Sequence, residues 1–240
     1  MSAIHRAPFR VVILALLSFQ TPLLAVPIRF LAWDDEIAAR KIGFQSSKGV
    51  NPIPNLHPGK RTEPMDAGAA GAAPLQLVAL DRTSPDGKPV TVEIKLLPTI
   101  QSPLVLILPD LKTPSGLRPF VIEDSSASFA WGSVRLINAT GKALLIRNEK
   151  TITALPETWT PVDLSPGGDA RNIGVQLVAR DDLKAILYSA VWEHDPNLRK
   201  LVFIVPGTDA RTGGVEFKIL PEDRRAVAAE AAAAQAGKTN

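Results

Sequence analysis

Side chains alternate with a period of two residues through most of the chain from Leu75 to Leu220. The segment PVTVEIKLL, residues 89–97, alternates apolar and polar side chains, whereas PLVLILP, residues 103–109, is apolar on both faces. These two patterns are typical of a half-buried strand and of a covered central strand. Turn sequences such as SPDGK separate the segments, and no long amphipathic helix interrupts them. The pattern predicts an all-β fold, an antiparallel, immunoglobulin-like β-sandwich over residues 75–220.

Three short sequence matches recur in the same order within this region. The matched pairs are QLVALD (76–81) with QLVARD (176–181), LVLILP (104–109) with LVFIVP (201–206), and FVI (120–122) with FKI (217–219). The repetition predicts two related β-units, at about 75–125 and 173–220, with the intervening strands between them. Two arrangements fit this prediction: two halves of one sandwich, or two stacked small sandwiches.

The N-terminal segment, residues 1–25, has the layout of a secretory signal peptide. Arg6 and Arg10 precede the apolar run VVILALLSF, and a region of small residues ends at Ala25. We expect cleavage after Ala25 and export to the periplasm or the exterior. The alternative is a segment kept as a membrane anchor, although the apolar run is only about half of the roughly 20 residues that a span requires.

Composition excludes several classes of protein. The chain has no cysteine, which excludes disulfides, thiolate metal sites and a lipoprotein anchor. Removal of residues 1–25 takes two of the 27 basic residues and none of the 24 acidic ones, so the net charge falls to near +1. Because the remaining basic residues are scattered, we predict no nucleic-acid partner. We also predict no membrane span after signal removal.

Residues 26–74 are predicted to form a short helix followed by a linker rich in proline, glycine and alanine. Three consecutive carboxylates, Asp34, Asp35 and Glu36, lie at the start of this helix. Adjacent carboxylates can catalyse hydrolysis or bind a divalent cation. The pattern favours capping instead, with Asp34 as the N-cap and the other two in the positive first turn. Residues 221–240 are predicted to be an alanine-rich, partly helical tail.

A second charged trio, Glu193, His194 and Asp195, suggests acid–base chemistry. Neighbouring side chains point in different directions in an extended chain, and the sequence Asp-Pro-Asn that ends the trio is strong turn chemistry. We therefore interpret the trio as the end of a hairpin. No nucleophile elbow, zinc-binding, phosphate-loop or dinucleotide motif is present in the sequence, so neither a cofactor nor a metal ion is predicted.

Tryptophan side chains are the remaining candidates for a binding site. Trp131, Trp159 and Trp192 could stack on a sugar ring, and the proline-flanked segment PETWTP suggests that Trp159 is the most exposed of them. We take Trp159, Trp192 and His194 as the candidate binding residues. A core position is the competing interpretation for each tryptophan.

Two longer segments, FAWGSVRLINATGKALLIR (129–147) and ILYSAVWEHDPNLRKLVFIVPG (186–207), carry a resemblance to a family. The pattern resembles that of uncharacterised exported β-sandwich proteins of Gram-negative bacteria, with a G-x-x-R-x-x-N-x-T strand and turn and a Tyr, Trp, Pro, Arg hairpin. The matching positions are Gly132, Arg135, Asn138, Thr140, Tyr188, Trp192, Pro196 and Arg199. The resemblance implies a location in the cell envelope and an all-β fold, and it carries no activity.

These observations favour an exported, non-catalytic β-sandwich protein of the cell envelope, acting as a structural, partner-binding or ligand-binding module. The partner would be another envelope protein or a glycan. The alternatives are an envelope hydrolase that uses Asp34, Asp35, Glu36 or His194, and a carbohydrate-binding module.

Overall fold

The computed structural model describes residues 25–47, 49–69, 74–208 and 214–237. The predicted signal peptide lies outside the described residues, except that Ala25 is the first residue of strand β1. Of the described helices, neither is long and apolar enough to cross a bilayer.

The described residues form an all-β fold of two units joined by a short connection. The elements of the first unit are β1 (Ala25–Ala32), α1 (Asp35–Ala38), β2 (Ile42–Ser46), β3 (Gly49–Pro52), β4 (Met65–Ala69), β5 (Leu75–Thr83), β6 (Pro89–Ile94), β7 (Pro103–Pro109) and β8 (Leu117–Glu123). The elements of the second unit are β9 (Val134–Asn138), β10 (Leu144–Asn148), β11 (Thr151–Leu155), β12 (Val162–Leu164), β13 (Arg171–Ala179), β14 (Ile186–His194), β15 (Leu198–Pro206), β16 (Val215–Asp223) and α2 (Arg224–Ala236).

Both units have the same topology. In the first unit the strand orders of the two sheets are β4-β1-β7-β8 and β3-β2-β5-β6, and in the second they are β12-β9-β15-β16 and β11-β10-β13-β14. Each strand of the first unit therefore has an equivalent eight places later in the strand order. Each unit contains one parallel pair, β1 with β7 and β9 with β15, and the other pairings are antiparallel. The predicted relation between two β-units is thus found, in the form of two complete sandwiches.

The registers of the paired strands agree with two of the three sequence matches. Leu77 lies opposite Phe44 and Val92, and its equivalent Leu177 lies opposite Ile146 and Tyr188. Leu104 and Leu201, which begin the second match, occupy equivalent places on β7 and β15. The match of FVI with FKI is out of register by one residue, because Leu104 pairs with Ile122 whereas Leu201 pairs with Leu220. A shift of one residue turns a side chain to the opposite face of the sheet.

Three apolar clusters hold the sheets together as four layers. The first lies inside the first sandwich and includes Phe30, Phe44 and Leu77, and the second lies inside the second sandwich. The third, the inter-unit core, joins Leu104 and Leu106 of β7 to residues such as Leu201 and Phe203 of β15. Side chains alternate across β7 and β15, so these two apolar strands feed a core on each face. This arrangement explains why both strands are apolar on both sides.

The prediction of a linker over residues 26–74 is wrong for most of its length. The short helix is present as α1, but β1, β2, β3 and β4 occupy much of the rest of the described segment. These strands are difficult to predict from the sequence because they contain proline and glycine, and both residues disfavour strand interiors. The first unit therefore begins near residue 25 rather than 75, and the second begins at Val134 rather than 173.

The second unit is preceded by a turn segment, and it ends later than predicted. The segment 127–133 forms turns that end at Gly132, where φ is +80°. Phe129 in this segment is fully buried in the inter-unit core. At the C-terminus β16 continues to Asp223, and α2 follows at once as an alanine-rich helix of 13 residues, as the composition of the tail suggests.

Candidate functional site

The acidic trio at α1 has the geometry of a helix cap. The Asp34 carboxylate accepts a hydrogen bond from the Ile37 amide at 2.9 Å, and Asp35 and Glu36 are exposed in the first turn. Carboxylates in these places satisfy unpaired amides and interact with the helix dipole. Within the described part of the chain, no three His, Asp or Glu side chains converge to hold a metal ion.

The second trio lies at the end of β14 and does not converge either. Glu193 is exposed, whereas His194 is 5% exposed, with Nε2 at 3.3 Å from the carbonyl oxygen of Gly168. The Asp195 carboxylate accepts from the Asn197 amide at 2.7 Å, which closes a turn. The cavity beside His194 is about 10 Å³, room for a single water molecule but for no substrate.

Trp159 lies against the inter-unit core. Its ring centroid is 5.3 Å from that of Phe120 and 5.8 Å from that of Trp33, and the Arg118 guanidinium lies 5.5 Å from the ring centroid. The backbone at Trp159 has a φ of +62°, which is unusual for an aromatic residue. The proline-flanked segment therefore turns this ring inward until it is half-buried, rather than presenting it to solvent.

Trp192 belongs to a different aromatic cluster, which we call the edge cluster: Tyr188, Trp192 and Phe217. Trp192 Nε1 donates to the Tyr188 hydroxyl at 3.0 Å, and the Tyr188 and Phe217 ring centroids are 4.5 Å apart. The structure therefore places Trp192 and Trp159 in separate clusters. The edge cluster spans the gap between β14 and β16, which are edge strands of the two sheets of the second unit.

This gap is narrower in the first unit, whereas in the second unit the side chains of the edge cluster bridge it. In the first unit β6 lies against β8, whereas the described residues of β14 make no comparable approach to β16. As a result Val121 of β8 packs against the core, while its equivalent on β16, Ile219, is 50% exposed. Ile186 and Val191 on β14 are 53% and 66% exposed. Both β6 and β14 are terminal strands, but among β6, β8, β14 and β16 only the two strands of the second unit carry large apolar side chains that are at least half exposed.

The outward positions of the two equivalent edge strands differ in charge. Glu93 of β6 and Ser189 of β14 both lie opposite the glutamine of the repeated QLVA sequence. Two residues further on, Lys95 corresponds to Val191. Charged side chains, lysine above all, protect an edge strand from pairing with another chain. Glu93 and Lys95, the residue that follows β6, give the first edge this protection, whereas Ser189 and Val191 are uncharged and Glu193 is the only carboxylate of β14.

Backbone groups of β14 also point away from the sheet. The Gly174 carbonyl accepts from the Glu149 amide on the β10 side of β13, so Gly174 and the residue opposite it, Val191, are not bonded to each other. By alternation, the amide and carbonyl groups of Ser189 and Val191 face the free edge. The Glu193 carbonyl, on the same side, accepts from Lys200 Nζ at 2.7 Å.

Sequence reasoning missed a group of ionic residues where the two units meet. This junction cluster consists of Arg29 and Arg61 of the first unit, Asp124 of the connection, and Arg199 and Glu222 of the second unit. Arg61 binds Asp124 in a bidentate geometry at 2.8 and 3.0 Å, and Arg199 donates to Glu222 and to the Asp124 carbonyl. Burial alone would raise the pKa of Glu222, but the charges of the three arginines lower it. The residues are far apart in sequence, so no local pattern signals the cluster.

Residues that carry the family resemblance have structural contacts in the second unit. Asn138 is 1% exposed, and its side-chain amide donates to the carbonyls of Lys142 and Leu155. Arg135 forms a bidentate pair with Asp163, and Arg199 belongs to the junction cluster. These contacts stabilise the connection between the two units and the turn after β9, so these residues have structural roles.

No protein-family model and no curated protein matches this chain in comparisons with known proteins.

Proposed function

We propose that this chain is an exported, non-catalytic module of the cell envelope that binds another envelope protein through the open edge of its second unit. The single observation that carries the proposal is the difference between the two equivalent edges: β8 approaches β6 in the first unit, whereas β14 has no such close neighbour in the facing sheet and carries exposed apolar side chains. An uncovered edge strand can accept an added strand from a partner.

The partner would supply an extended segment that pairs with β14. Its backbone would meet the outward groups of Ser189 and Val191, and alternate apolar side chains would contact Ile186, Ile219 and the edge cluster. The nine residues of β14 contain one carboxylate and neither lysine nor proline, so little in the strand opposes such pairing. Export, directed by residues 1–25, would bring the module to the periplasm or the exterior.

A non-catalytic function agrees with how the charged groups are used. Asp34 caps a helix, His194 is buried beside a cavity of about 10 Å³, and the arginines of the junction cluster are paired with carboxylates. A hydrolase needs a carboxylate or an imidazole that a substrate can reach. Of the residues that the sequence offers for this chemistry, Asp34 is engaged in a cap and His194 is buried, while Asp35 and Glu36 are exposed on α1 with no histidine, aspartate or glutamate cluster around them in the described part of the chain.

The proposal is tested by site-specific photocrosslinking in the native host. A photoreactive side chain placed at Val191 is expected to give a discrete adduct with an envelope protein, because this position faces the partner strand. The same side chain at Lys95, the equivalent position in the first unit, serves as the matched control and is expected to give none. Equal adducts at both positions, or none at Val191, would contradict the proposal, and an adduct of twice the chain mass would show that the strand comes from a second copy instead.

A double variant separates strand addition from general adhesion. Ser189→Glu with Val191→Lys gives the second edge the charges that the first edge carries at Glu93 and Lys95. We expect the adduct from a crosslinker placed at the neighbouring Glu193 to disappear in this variant, while cell fractionation still finds the protein in the envelope. Recovery from the cytoplasm of the chain with residues 1–25 still attached would show that the export part of the proposal is wrong.

A further inference from the structure

Both units carry an arginine at the same place in the same strand. Arg29 of β1 lies opposite Leu104 of β7, and Arg135 of β9 lies opposite Leu201 of β15. Leu104 and Leu201 begin the repeated LVLILP and LVFIVP segments, so the two arginines are equivalent. The two guanidinium groups differ in their hydrogen-bond partners.

Arg135 is saturated by contacts within the protein. Its Nε and Nη2 donate to the two carboxylate oxygens of Asp163, each at 2.7 Å, and Nη1 donates to the Glu123 carbonyl. The side chain is 6% exposed. This planar, bidentate arrangement is the strongest form of an arginine–carboxylate pair.

Arg29 lacks the corresponding carboxylate. Its Nη1 donates to Glu222 at 3.2 Å, but Nε and Nη2 donate to no other described residue. The pairing of β1 with β4 ends at Ile28 and Met65, and the next residues, Arg29 and Pro64, line the same groove, whereas Asp163 lies opposite Arg135 in the second unit. The first unit therefore has a proline in place of the carboxylate, and the Arg29 side chain is 30% exposed.

The unpaired side of Arg29 faces a groove. This junction groove has a volume of about 280 Å³, and its lining includes Pro27, Arg29, Pro64, Pro103, Trp131 and Val227. The Arg199 guanidinium lies 4.9 Å from the Trp131 ring centroid, which fixes that aromatic wall. The groove thus combines the Arg29 guanidinium, whose Nε and Nη2 have no described partner, with apolar walls, and three serines, Asp124 and Arg199 add polar groups to its lining.

We propose that the junction groove binds a small molecule that carries one carboxylate on an apolar body. Nε and Nη2 of Arg29 donate to the two carboxylate oxygens, as the same atoms of Arg135 do to Asp163, and the apolar body lies among the prolines, Trp131 and Val227. The junction cluster has three arginines against two carboxylates, a surplus of one charge that suits a monoanion. A phosphate dianion would exceed this surplus and lie near Asp124, which also lines the groove.

This site is separate from the edge of β14, so the result of its test does not depend on whether the proposed partner exists. The test uses the purified full chain with phenylacetate as the probe, in ligand-detected NMR titrations at millimolar concentrations. Phenylacetamide, the neutral isostere, and inorganic phosphate are the comparison probes. We expect saturable binding of phenylacetate, and binding of phenylacetamide and phosphate at least ten-fold weaker, because a charged hydrogen-bonded pair is worth more than a factor of ten.

Two variants locate the binding. Arg29→Gln removes the cation, and Pro64→Asp supplies the carboxylate that the second unit has at Asp163, which should occupy Arg29 from within. Both are expected to weaken phenylacetate binding at least ten-fold. Arg118→Gln, which removes an arginine beside Trp159, is the matched control and should bind as the unaltered chain does. Unchanged binding by Pro64→Asp, tighter binding of phosphate than of phenylacetate, or no saturable binding by the unaltered chain would each overturn the proposal. Circular dichroism establishes that each variant keeps its strand content.

Discussion

Arginine side chains at the junction of the units illustrate how burial decides what a charge contributes. The Arg61 and Asp124 side chains are 6% and 4% exposed and bind each other in a bidentate geometry. Each charge has lost most of its hydration, and only the partner compensates for that loss. The pair Arg225 and Asp223 has similar distances, but Arg225 is 67% exposed, so water screens it.

Removing one member of the buried pair should therefore be costly. We expect Arg61→Ala to lower the free energy of unfolding by about 3–5 kcal/mol, because Asp124 stays buried with only a distant contact to Arg199. Arg225→Ala is the control, and it should change the free energy of unfolding far less, because water screens this exposed pair. Urea unfolding followed by circular dichroism measures both. Equal effects of the two substitutions would show that burial does not govern these pairs.

Glu222 makes the stability depend on pH. Burial by itself would raise its pKa, but Arg61, Arg199 and Arg29 lower the pKa in the folded protein below the ordinary value of 4.5. The unfolded chain then binds the proton at higher pH than the folded protein does. The stabilisation is complete above pH 4.5 and is lost as the pH falls through the lowered folded pKa.

This dependence is measurable by substitution. Glu222→Gln should be less stable at neutral pH, and it should lose less stability than the unaltered chain between about pH 5 and about pH 3, because its amide does not titrate. Urea unfolding at several pH values gives the two curves. Curves that stay parallel across this range would contradict the lowered pKa of Glu222.

Elements differ in how far the sequence reveals them. Strands such as β7 and β15 are predicted correctly because their side chains are apolar on both faces, and α1 is predicted because its acidic first turn is local information. The strands β3 and β4 are missed because they are short and contain proline or glycine, so pairing with β2 and β1 stabilises them rather than their own propensity.

The candidate sites follow the same division. The turn at Asp195 and the cap at Asp34 depend on neighbours in sequence, and both predictions agree with the hydrogen bonds. The open edge of β14 depends on how closely β16 approaches, and the free side of Arg29 depends on the residue that precedes β4. Contacts between strands distant in sequence decide both features, and no local pattern encodes them.

Helix α1 allows a test of how much a local cap contributes to the free energy of unfolding. With only four helical residues, its stability relies on the cap that Asp34 provides. Asp34→Ala should lower the free energy of unfolding by about 1 kcal/mol, and Asp34→Asn should lose much less, since asparagine caps almost as well. Glu36→Ala, in the exposed first turn, is the control, with an expected loss of about 0.3–1 kcal/mol at most. A loss for Asp34→Asn as large as that for Asp34→Ala would show that the charge, rather than the cap, is what the position needs.

At the scale of the whole molecule, the inter-unit core turns two repeated sandwiches into a single four-layered body. Each inner sheet is covered on both faces, by its own outer sheet and by the inner sheet of the other unit. Neither unit alone would cover residues such as Leu106 and Phe203, which are each 1% exposed in the described structure. The two units with the same topology differ in how these positions are used. In the first unit β8 approaches β6, and Nε and Nη2 of Arg29 have no described partner, whereas in the second unit Arg135 binds Asp163 and β14 lies farther from β16.

The shared core predicts that the two units unfold together. Phe203 belongs to the inter-unit core and lies 5.7 Å, centroid to centroid, from the Trp33 ring of the first unit. Phe203→Ala should lower the free energy of unfolding by about 3–5 kcal/mol through the cavity it leaves. Trp33 and Trp192 serve as fluorescent probes in variants that retain a single tryptophan of the four. In each background, with or without Phe203→Ala, the two probes should report the same urea midpoint as each other, because neither sandwich keeps its inner sheet covered without the other. Ile146→Ala, inside the second sandwich, is the control, and it should also shift both signals together. If either substitution moved the Trp192 midpoint and left the Trp33 midpoint unchanged, the units would be independently stable domains, and the inter-unit core would be a docking surface rather than part of a single fold.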